Sequence, residues 1–203
     1  MMHTKSKFKM VIFTLMLQLV FGTSAQAAPQ SFTGTEDNIV DISPIKSPSV
    51  ISFSYSGEGV FSISPVDGTG KEGLPYQLDI GDAEGTYFQE TPKKPIVALA
   101  VKGSGSWTVT VDSLKSVKVL GSKSGSGSAS TVISLGKATS GVKRITWNHT
   151  GEGVFSVTPI DSKGRSKFPL FLKIGTYSGT VSLPSGTTYL AIKADGDWKY
   201  SIK

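Results

Sequence analysis

Residues 57–67 read Gly-Glu-Gly-Val-Phe-Ser-Ile-Ser-Pro-Val-Asp, and residues 151–161 read Gly-Glu-Gly-Val-Phe-Ser-Val-Thr-Pro-Ile-Asp. The two copies lie 94 residues apart (57 to 151), and 10 of the 21 positions in 51–71 are identical in 145–165. Agreement at this level indicates an internal duplication. The chain is therefore predicted to contain two tandem copies of one small domain.

Both copies consist of short runs in which apolar and polar residues alternate, separated by glycine-rich turns. In the first copy Ile51, Phe53 and Tyr55 alternate with serines, and Ile145 and Trp147 keep the same phase in the second. Such alternation places one side of a β-strand on a core and the other in water. The predicted fold class is all-β, with two tandem antiparallel, jelly-roll-like β-sandwich domains of about seven strands each. The predicted strands lie near 38–42, 49–56, 59–66, 74–81, 86–91, 96–103 and 106–112, and near 131–136, 142–150, 153–160, 169–175, 179–183, 188–194 and 197–203.

The beginning of the chain has the three parts of a secretory signal peptide. Three lysines between residues 5 and 9 precede an apolar run at 11–21, and Ala25-Gln26-Ala27 forms a small-x-small cleavage signal. The run is shorter than the roughly 20 residues that a membrane-spanning helix needs. We predict a signal peptide at 1–27, a secreted protein that is extracellular or associated with the cell surface, and no membrane attachment after cleavage.

The rest of the chain is predicted to divide into a first repeat at 28–120, a linker at 121–130 and a second repeat at 131–203. The linker prediction rests on the run Gly-Ser-Lys-Ser-Gly-Ser-Gly-Ser at 121–128, a composition typical of flexible linkers. A flexible linker would leave the two domains without a fixed relative orientation.

The two repeats differ in charge. Residues 28–122 contain 7 Lys against 11 Asp and Glu, whereas residues 123–203 contain 11 Lys and Arg against 4 Asp and Glu. The first repeat is therefore acidic and the second basic. From these charges alone we predict that repeats attract each other, either head to tail between molecules or by folding back within one molecule.

The duplicated motif itself has a structural interpretation. Its Gly-Glu-Gly segment is predicted to be a hairpin turn with glycines at positive φ, and Phe61 and Phe155 are predicted core residues. Pro65 lacks a backbone donor, so its strand is predicted to lie at a sheet edge or to end there. Glu58 and Glu152 have no structural role in this interpretation and are candidate binding residues.

The string Gly-x-Gly-x-Phe-Ser-x-x-Pro-x-Asp-x-x-Gly, together with the segment 174–198 that contains Ser-Leu-Pro-Ser-Gly-Thr-Thr-Tyr and ends in Asp-Gly-Asp-Trp, resembles a small β-sandwich module of exported proteins from Gram-positive bacteria, especially actinobacteria. It is more loosely similar to pre-peptidase C-terminal-type and carbohydrate-binding-type jelly rolls. The resemblance covers both repeats, and the second matches better because the first departs at 89–95. It implies a fold and export, and it supplies no site residues.

Residue types that carry common enzyme chemistry are scarce. The chain has no Cys, which excludes thiol catalysis and thiolate metal sites. His149, the one histidine after residue 27, aligns with Tyr55 in the inward phase and is predicted to fill a core edge. Glu58 and Glu152 lie in different domains and cannot hold the fixed carboxylate separation of a glycosidase. We predict no catalytic residue, no metal site and no cofactor.

The remaining candidates are binding residues. Tyr87, Tyr177 and Tyr189 lie at or near predicted turns, where an exposed ring can stack on a sugar, whereas the three tryptophans fall in the inward phase. Basic residues of the second repeat are candidates for contact with an anionic cell-wall polymer. These basic candidates are Lys143, Arg144, Lys163 and Arg165.

The predicted function is an exported, non-enzymatic binding or structural module that engages cell-surface or wall polymers, a glycan or another protein. Nucleic acid and membrane are not predicted partners. The alternative prediction is a carboxylate-dependent hydrolase that acts on extracellular polymers.

Overall fold

The computed structural model describes residues 28–203, so the signal peptide predicted at 1–27 lies outside the described residues. The described chain forms β-strands and one 3₁₀ turn at Leu114–Ser116. Within it, no helix has the length and apolar character to cross a membrane.

The first repeat is a sandwich of two four-stranded antiparallel sheets. Its strands are β1 (Gln30–Gly34), β2 (Asn38–Ile45), β3 (Ser49–Ser56), β4 (Val60–Asp67), β5 (Gln77–Ile80), β6 (Ala83–Gln89), β7 (Ile96–Lys102) and β8 (Ser106–Ser113). One sheet has the order β1-β8-β3-β6 and the other β2-β7-β4-β5. Consecutive strands therefore mostly belong to opposite sheets, as in a jelly roll.

The second repeat has the same architecture, strand for strand. Its strands are β9 (Ser124–Gly127), β10 (Thr131–Ser134), β11 (Lys143–Thr150), β12 (Val154–Asp161), β13 (Phe171–Ile174), β14 (Tyr177–Leu183), β15 (Thr187–Lys193) and β16 (Asp197–Ile202). The sheet orders are β14-β11-β16-β9 and β10-β15-β12-β13. The predicted fold class, two tandem antiparallel β-sandwiches, is confirmed.

Most residues whose alternation predicts an inward phase do hold the sandwiches, but the prediction is wrong for β5 and β13, where Leu78, Ile80, Leu172 and Ile174 are exposed. Ile51 and Phe61 are completely buried in the first core, and Trp147 and Phe155 are completely buried in the second. The rings of Trp147 and Phe155 meet edge to face, with centroids 5.8 Å apart. Because the chain has no disulfide, burial of these side chains supplies the stability of each repeat.

Each sandwich has eight strands, and the strand that the sequence prediction missed is the first one of each repeat. In the second repeat this strand, β9, lies within the segment predicted to be a flexible linker. It pairs with β16 in a register that sets Gly127 opposite Trp198 and Gly125 opposite Tyr200. A Cβ at Gly127 would lie 2.5 Å from Cζ2 of Trp198, so glycine is required where the indole packs against the strand. The Gly/Ser composition reflects this packing and not flexibility.

The duplicated Gly-Glu-Gly segment is not a hairpin. It joins β3 to β4, which belong to opposite sheets. Neither Gly57 nor Gly59 has a positive φ; instead, a side chain at Gly57 would overlap the hydroxyl of Tyr55. Close packing rather than backbone conformation therefore explains these glycines, against the buried Tyr55 at Gly57 and against Ser104 at Gly59.

Pro65 lies inside β4, which has a neighbour on each side in its sheet and continues to Asp67. The prediction that its strand lies at a sheet edge or ends at the proline is therefore wrong. Strand β5 pairs with β4 only over Val60–Ile63, and Pro65 lies beyond that ladder. On its other side Pro65 is paired with Leu99 of β7. The missing N–H is tolerated because β4 has a strand partner on one side only at this position.

The two repeats pack directly on each other. Four buried residues form a separate apolar cluster, with Val50 and Leu114 from the first repeat and Val132 and Ile160 from the second. The backbone also crosses between the repeats, because the N–H of Thr86 donates to the carbonyl of Ser130 at 3.0 Å. None of the ion pairs within residues 28–203 joins the repeats. The contacts that the described residues make between the repeats are therefore apolar packing and hydrogen bonds.

Candidate functional site

A cleft of about 380 Å³ lies where the edge of the first sandwich meets a sheet face of the second. This volume is in the range of small-ligand sites, roughly 300–1,000 Å³. Aromatic, amide, hydroxyl and charged groups all line it. The residues used below are Tyr76, Gln77, Tyr87, Gln89 and Glu90 from the first repeat, and Ser156, Thr158, Ser166 and Lys193 from the second.

Two tyrosine rings form the aromatic wall of the cleft. The centroids of Tyr76 and Tyr87 lie 4.7 Å apart, with 32° between the ring planes. Tyr87 is 41% exposed, whereas Tyr76 is half-buried against the first core. Burial raises the pKa of both phenols, and the neighbouring Tyr87 raises that of Tyr76 further. Both hydroxyls therefore remain protonated and can donate hydrogen bonds at physiological pH.

Two glutamines flank the tyrosines. The hydroxyl of Tyr76 donates to Oε1 of Gln89 at 2.6 Å, and Nε2 of Gln89 donates to the carbonyl of Glu90. Nε2 of Gln77 donates to the carboxylate of Asp79. These contacts fix the orientation of both amides, so the cleft presents polar groups in defined positions.

The equivalent edge of the second repeat is built differently. Tyr87 lies opposite Ile51 of β3, and Val181 lies opposite the equivalent Ile145 of β11, so Tyr87 corresponds to Val181. In the same way Gln89, opposite Ser49, corresponds to Leu183, opposite Lys143. The same comparison of β5 and β13 aligns Gln77 with Phe171. Tyr76 corresponds to Leu170, since their N–H groups donate to equivalent carbonyls of β4 and β12.

At these four positions the edge of the second repeat is closed by apolar side chains, whereas the edge of the first repeat is open to the cleft. In the second repeat Leu183 is completely buried, and Leu170, Phe171 and Val181 pack on the core. In the first repeat the corresponding residues are two tyrosines and two glutamines, and the cleft opens beside them. The two copies of the duplicated fold therefore differ at this edge, which is apolar and closed in the second repeat and polar and aromatic in the first.

The opposite wall of the cleft belongs to the second repeat and is fixed by a contact across it. The carboxylate of Glu90 accepts hydrogen bonds from the N–H of Ser166 at 3.1 Å and from its hydroxyl at 3.0 Å. Ser156 and Thr158 of β12 contribute further hydroxyls, and Lys193 contributes a cation. The cleft therefore depends on the docking of the two repeats.

The two candidate glutamates do not meet at a site. Glu58 and Glu152 are both exposed at equivalent turns of different repeats, and neither carboxylate has a hydrogen-bond partner in the described chain. In the second repeat Asp195, and not Glu152, stabilises the turn. Oδ2 of Asp195 accepts from the N–H groups of Glu152, at 2.9 Å, and of Gly153.

The tyrosine candidates separate into one cleft residue and two packed residues. Tyr87 lines the cleft. Tyr177 stacks on Phe171 with centroids 4.6 Å apart and packs on the second core. Tyr189 packs on the apolar cluster between the repeats. Tyr177 and Tyr189 therefore have structural contacts that account for them.

The basic candidates lie on two different parts of the second repeat. Lys143 and Arg144 begin β11, and Lys143 lines a shallow groove that is also bordered by Lys123, Lys137 and Lys203. Lys163 and Arg165 lie instead in the turn after β12, where a guanidinium nitrogen of Arg165 is 2.6 Å from the carboxylate of Asp161.

The one histidine of the described residues, His149, belongs to the second core. His149 is buried and stacks on Phe155 with centroids 4.3 Å apart. Its Nδ1 lies 3.2 Å from the carbonyl of Gly175, and its Nε2 lies 3.2 Å from Oδ1 of Asp195. Within residues 28–203, no three His, Asp or Glu side chains are placed so that they could hold a metal ion.

Sequence reasoning singled out Tyr87 and missed Tyr76, Gln77 and Gln89. The available signal was a comparison of inward-facing positions between the repeats. Most such pairs are apolar in both copies, whereas these positions are polar or phenolic in the first copy and apolar in the second.

Comparison with known proteins finds no matching family model and no matching curated protein. Among solved structures, the chain is similar to a regulatory subunit of a cAMP-independent protein kinase A from Trypanosoma cruzi bound to guanosine, with 9% identity, a TM-score of 0.21 and coverage of 86% of this chain and 72% of that one. The corresponding subunit from Trypanosoma brucei gives 9% identity, a TM-score of 0.23 and coverage of 86% and 74%. A turret protein, A223, of Sulfolobus turreted icosahedral virus gives 11% identity, a TM-score of 0.20 and coverage of 87% and 97%. Likenesses this remote carry no argument about function.

Proposed function

We propose that this protein is an exported, non-enzymatic binding module that takes a saccharide of a cell-surface glycan or wall polymer into the cleft between its repeats. The observation that carries the proposal is the replacement of an apolar, closed edge in one repeat by Tyr76, Gln77, Tyr87 and Gln89 in the other. Loss of apolar burial weakens a small domain. A ligand-binding role explains why the first repeat carries this arrangement.

The chemistry of the cleft suits a saccharide. A pyranose ring has apolar C–H faces and a rim of hydroxyl groups, so it needs an aromatic surface beside hydrogen-bonding groups. Tyr87 offers a partly exposed ring, and the amides of Gln77 and Gln89 can both donate and accept. Ser156 and Thr158 line the same cleft from the second repeat.

Binding is favoured over hydrolysis by the carboxylates of the cleft. A typical glycosidase places two carboxyl groups on opposite sides of the scissile bond. Glu90 is the one carboxylate among the cleft-lining residues that the structure describes, and it is engaged by Ser166. Export and a cell-surface location are part of the proposal and rest on the signal-peptide pattern of the first 27 residues.

A glycan array with the mature chain tests the proposal. The decisive variant closes the cleft with the residues of the second repeat, namely Tyr76→Leu, Gln77→Phe, Tyr87→Val and Gln89→Leu. We expect saccharide binding by the wild type and none by the closed variant, with both proteins folded by circular dichroism. Glu58→Ala is the matched control in the same repeat and should bind as the wild type does. Equal binding by the closed variant, or no saccharide bound by the wild type, would contradict the proposal.

A further inference from the structure

The edge strands β5 and β13 present the same exposed apolar residues in both repeats. Each strand ends its sheet and pairs with one neighbour only. On the outward face Leu78 and Ile80 are 63% and 81% exposed, and Leu172 and Ile174 are 65% and 76% exposed. An open strand edge beside exposed apolar side chains is a template for pairing with another strand.

The duplication shows that these exposed residues have been kept while their neighbours changed. Leu78 corresponds to Leu172 and Ile80 to Ile174 in the strand registers of β5 and β13. The residue between them has its side chain on the other face of the strand, and it differs between the repeats. It is Asp79 in β5 and Lys173 in β13. Exposed apolar residues contribute little to the stability of a lone sandwich, so the folding of each repeat does not explain their identity.

The changed residues give the two edges opposite charge. In an antiparallel pair one strand runs forward as the other runs backward. A pairing that sets Asp79 opposite Lys173 therefore sets Leu78 opposite Ile174. It also sets Ile80 opposite Leu172. Apolar pairs then share one face, and an ion pair lies on the other. Cross-strand pairs of both kinds stabilise a sheet.

Pairing between like edges is disfavoured by the same charges. Two β5 strands in this register would set Asp79 against Asp79, and two β13 strands would set Lys173 against Lys173. Like charges directly opposite each other destabilise a strand pair. The charges therefore select β5 with β13 over either like pairing.

We propose that strand β5 of one molecule pairs in antiparallel fashion with strand β13 of a second copy of this chain. The two edges are different surfaces, so the contact is head to tail, and further copies add in the same way to give an open chain. Each contact involves two strands of four residues. It is therefore small, and the association is weak and dependent on concentration. The inference is independent of the saccharide proposal.

Sedimentation equilibrium of the mature chain over a wide concentration range tests this contact. We expect the average mass of the wild type to rise with concentration beyond that of a dimer. Asp79→Lys leaves a lysine on both edges, and Lys173→Asp leaves an aspartate on both, so each variant alone should remain monomeric. Both substitutions leave the cores intact. Asp79→Lys also removes the carboxylate that accepts from Nε2 of Gln77, whereas Lys173→Asp changes no residue of the cleft.

Charge complementation makes the test specific. An equimolar mixture of the Asp79→Lys and Lys173→Asp variants should associate, because the new lysine of β5 then faces the new aspartate of β13. The double variant should associate like the wild type. A wild type that stays monomeric throughout, single variants that associate like the wild type, or a mixture that stays monomeric would overturn the proposal.

Discussion

The hydroxyl of Tyr76 donates a 2.6 Å hydrogen bond to Oε1 of Gln89, and these two residues occupy the positions of Leu170 and Leu183 in the second repeat. The second repeat thus shows how the same fold closes this edge with apolar side chains. We expect the double variant Tyr76→Leu and Gln89→Leu to be more stable than the wild type by about 0.5–2 kcal/mol. Urea denaturation monitored by tryptophan fluorescence measures the difference.

The reciprocal change serves as the control. Leu183→Gln places an amide at a fully buried position without the tyrosine that would bond to it, and it should destabilise the protein by about 2–4 kcal/mol. If closing the first edge lowers the free energy of unfolding, then Tyr76 and Gln89 are structural residues, and the argument for a cleft selected for binding is lost.

Asp195 is predicted to be the carboxylate that holds the turn at 151–153. Asp195→Ala should destabilise the second repeat by about 1–2 kcal/mol, because two backbone N–H groups lose their acceptor. Glu152→Ala, which removes an exposed carboxylate from the same turn, should have no measurable effect. Thermal melts of the two variants side by side provide the measurement, and equal effects would contradict the assignment.

The contribution of Asp195 should depend on pH. Partial desolvation raises the pKa of this carboxyl, but the N–H groups of Gly153 and Glu152 and the nearby His149 outweigh it and lower the pKa below its ordinary value of 3.8. A lowered folded-state pKa gives stability that is present above the unfolded value and is lost as the pH falls through the folded value. The difference between wild type and Asp195→Ala should therefore be lost as the pH falls below the ordinary carboxyl value of 3.8. A difference that persists undiminished when both states bind the proton would contradict this sign.

Phe155 is predicted to be a core residue of the second repeat. It is completely buried and contacts the rings of His149, Trp147 and Phe171. Phe155→Ala should lower the free energy of unfolding by roughly 3–5 kcal/mol. A loss well under 1 kcal/mol in denaturant melts would mean that the strand phase is wrong.

Docking of the two repeats is predicted to resist salt. Their contact is an apolar cluster that includes Val50 and Ile160, and apolar contacts are not screened, whereas exposed charge pairs are strongly screened at ~0.5 M salt. Small-angle scattering should give the same radius of gyration in 0.05 M and about 0.5 M NaCl. Ile160→Asp should increase the radius in both conditions. Expansion of the wild type by salt alone would show that charge attraction holds the repeats.

Strand alternation and the internal repeat predicted the architecture and most of the core from the sequence. Ile51, Phe61, Trp147 and Phe155 fall in the buried phase because a period of two is a property of any strand with one face on a core. The prediction of sheet pairing was weaker. Nothing local to Gly57 shows that β3 and β4 belong to opposite sheets, because sheet membership is set by contacts with strands far along the chain.

Strand β9 illustrates a second limit. Its Gly/Ser composition is the same as that of a flexible linker, and only the position of the Trp198 indole above Gly127 explains it. The cleft shows a third limit, because it is formed between Tyr87 of one repeat and Ser156 of the other. A site that depends on the docking of two domains has no continuous sequence motif.

Titration calorimetry of the Tyr87→Val variant, with the saccharide that the wild type binds most strongly on the array, tests the central claim most directly. Val181 already occupies the equivalent position in the second repeat, so the substitution is compatible with the fold. We predict at least a roughly 10-fold weaker affinity, which corresponds to the loss of about 1.4 kcal/mol of ring contact, with an unchanged melting temperature or a small rise. An affinity equal to that of the wild type would contradict a binding site at the cleft between the repeats.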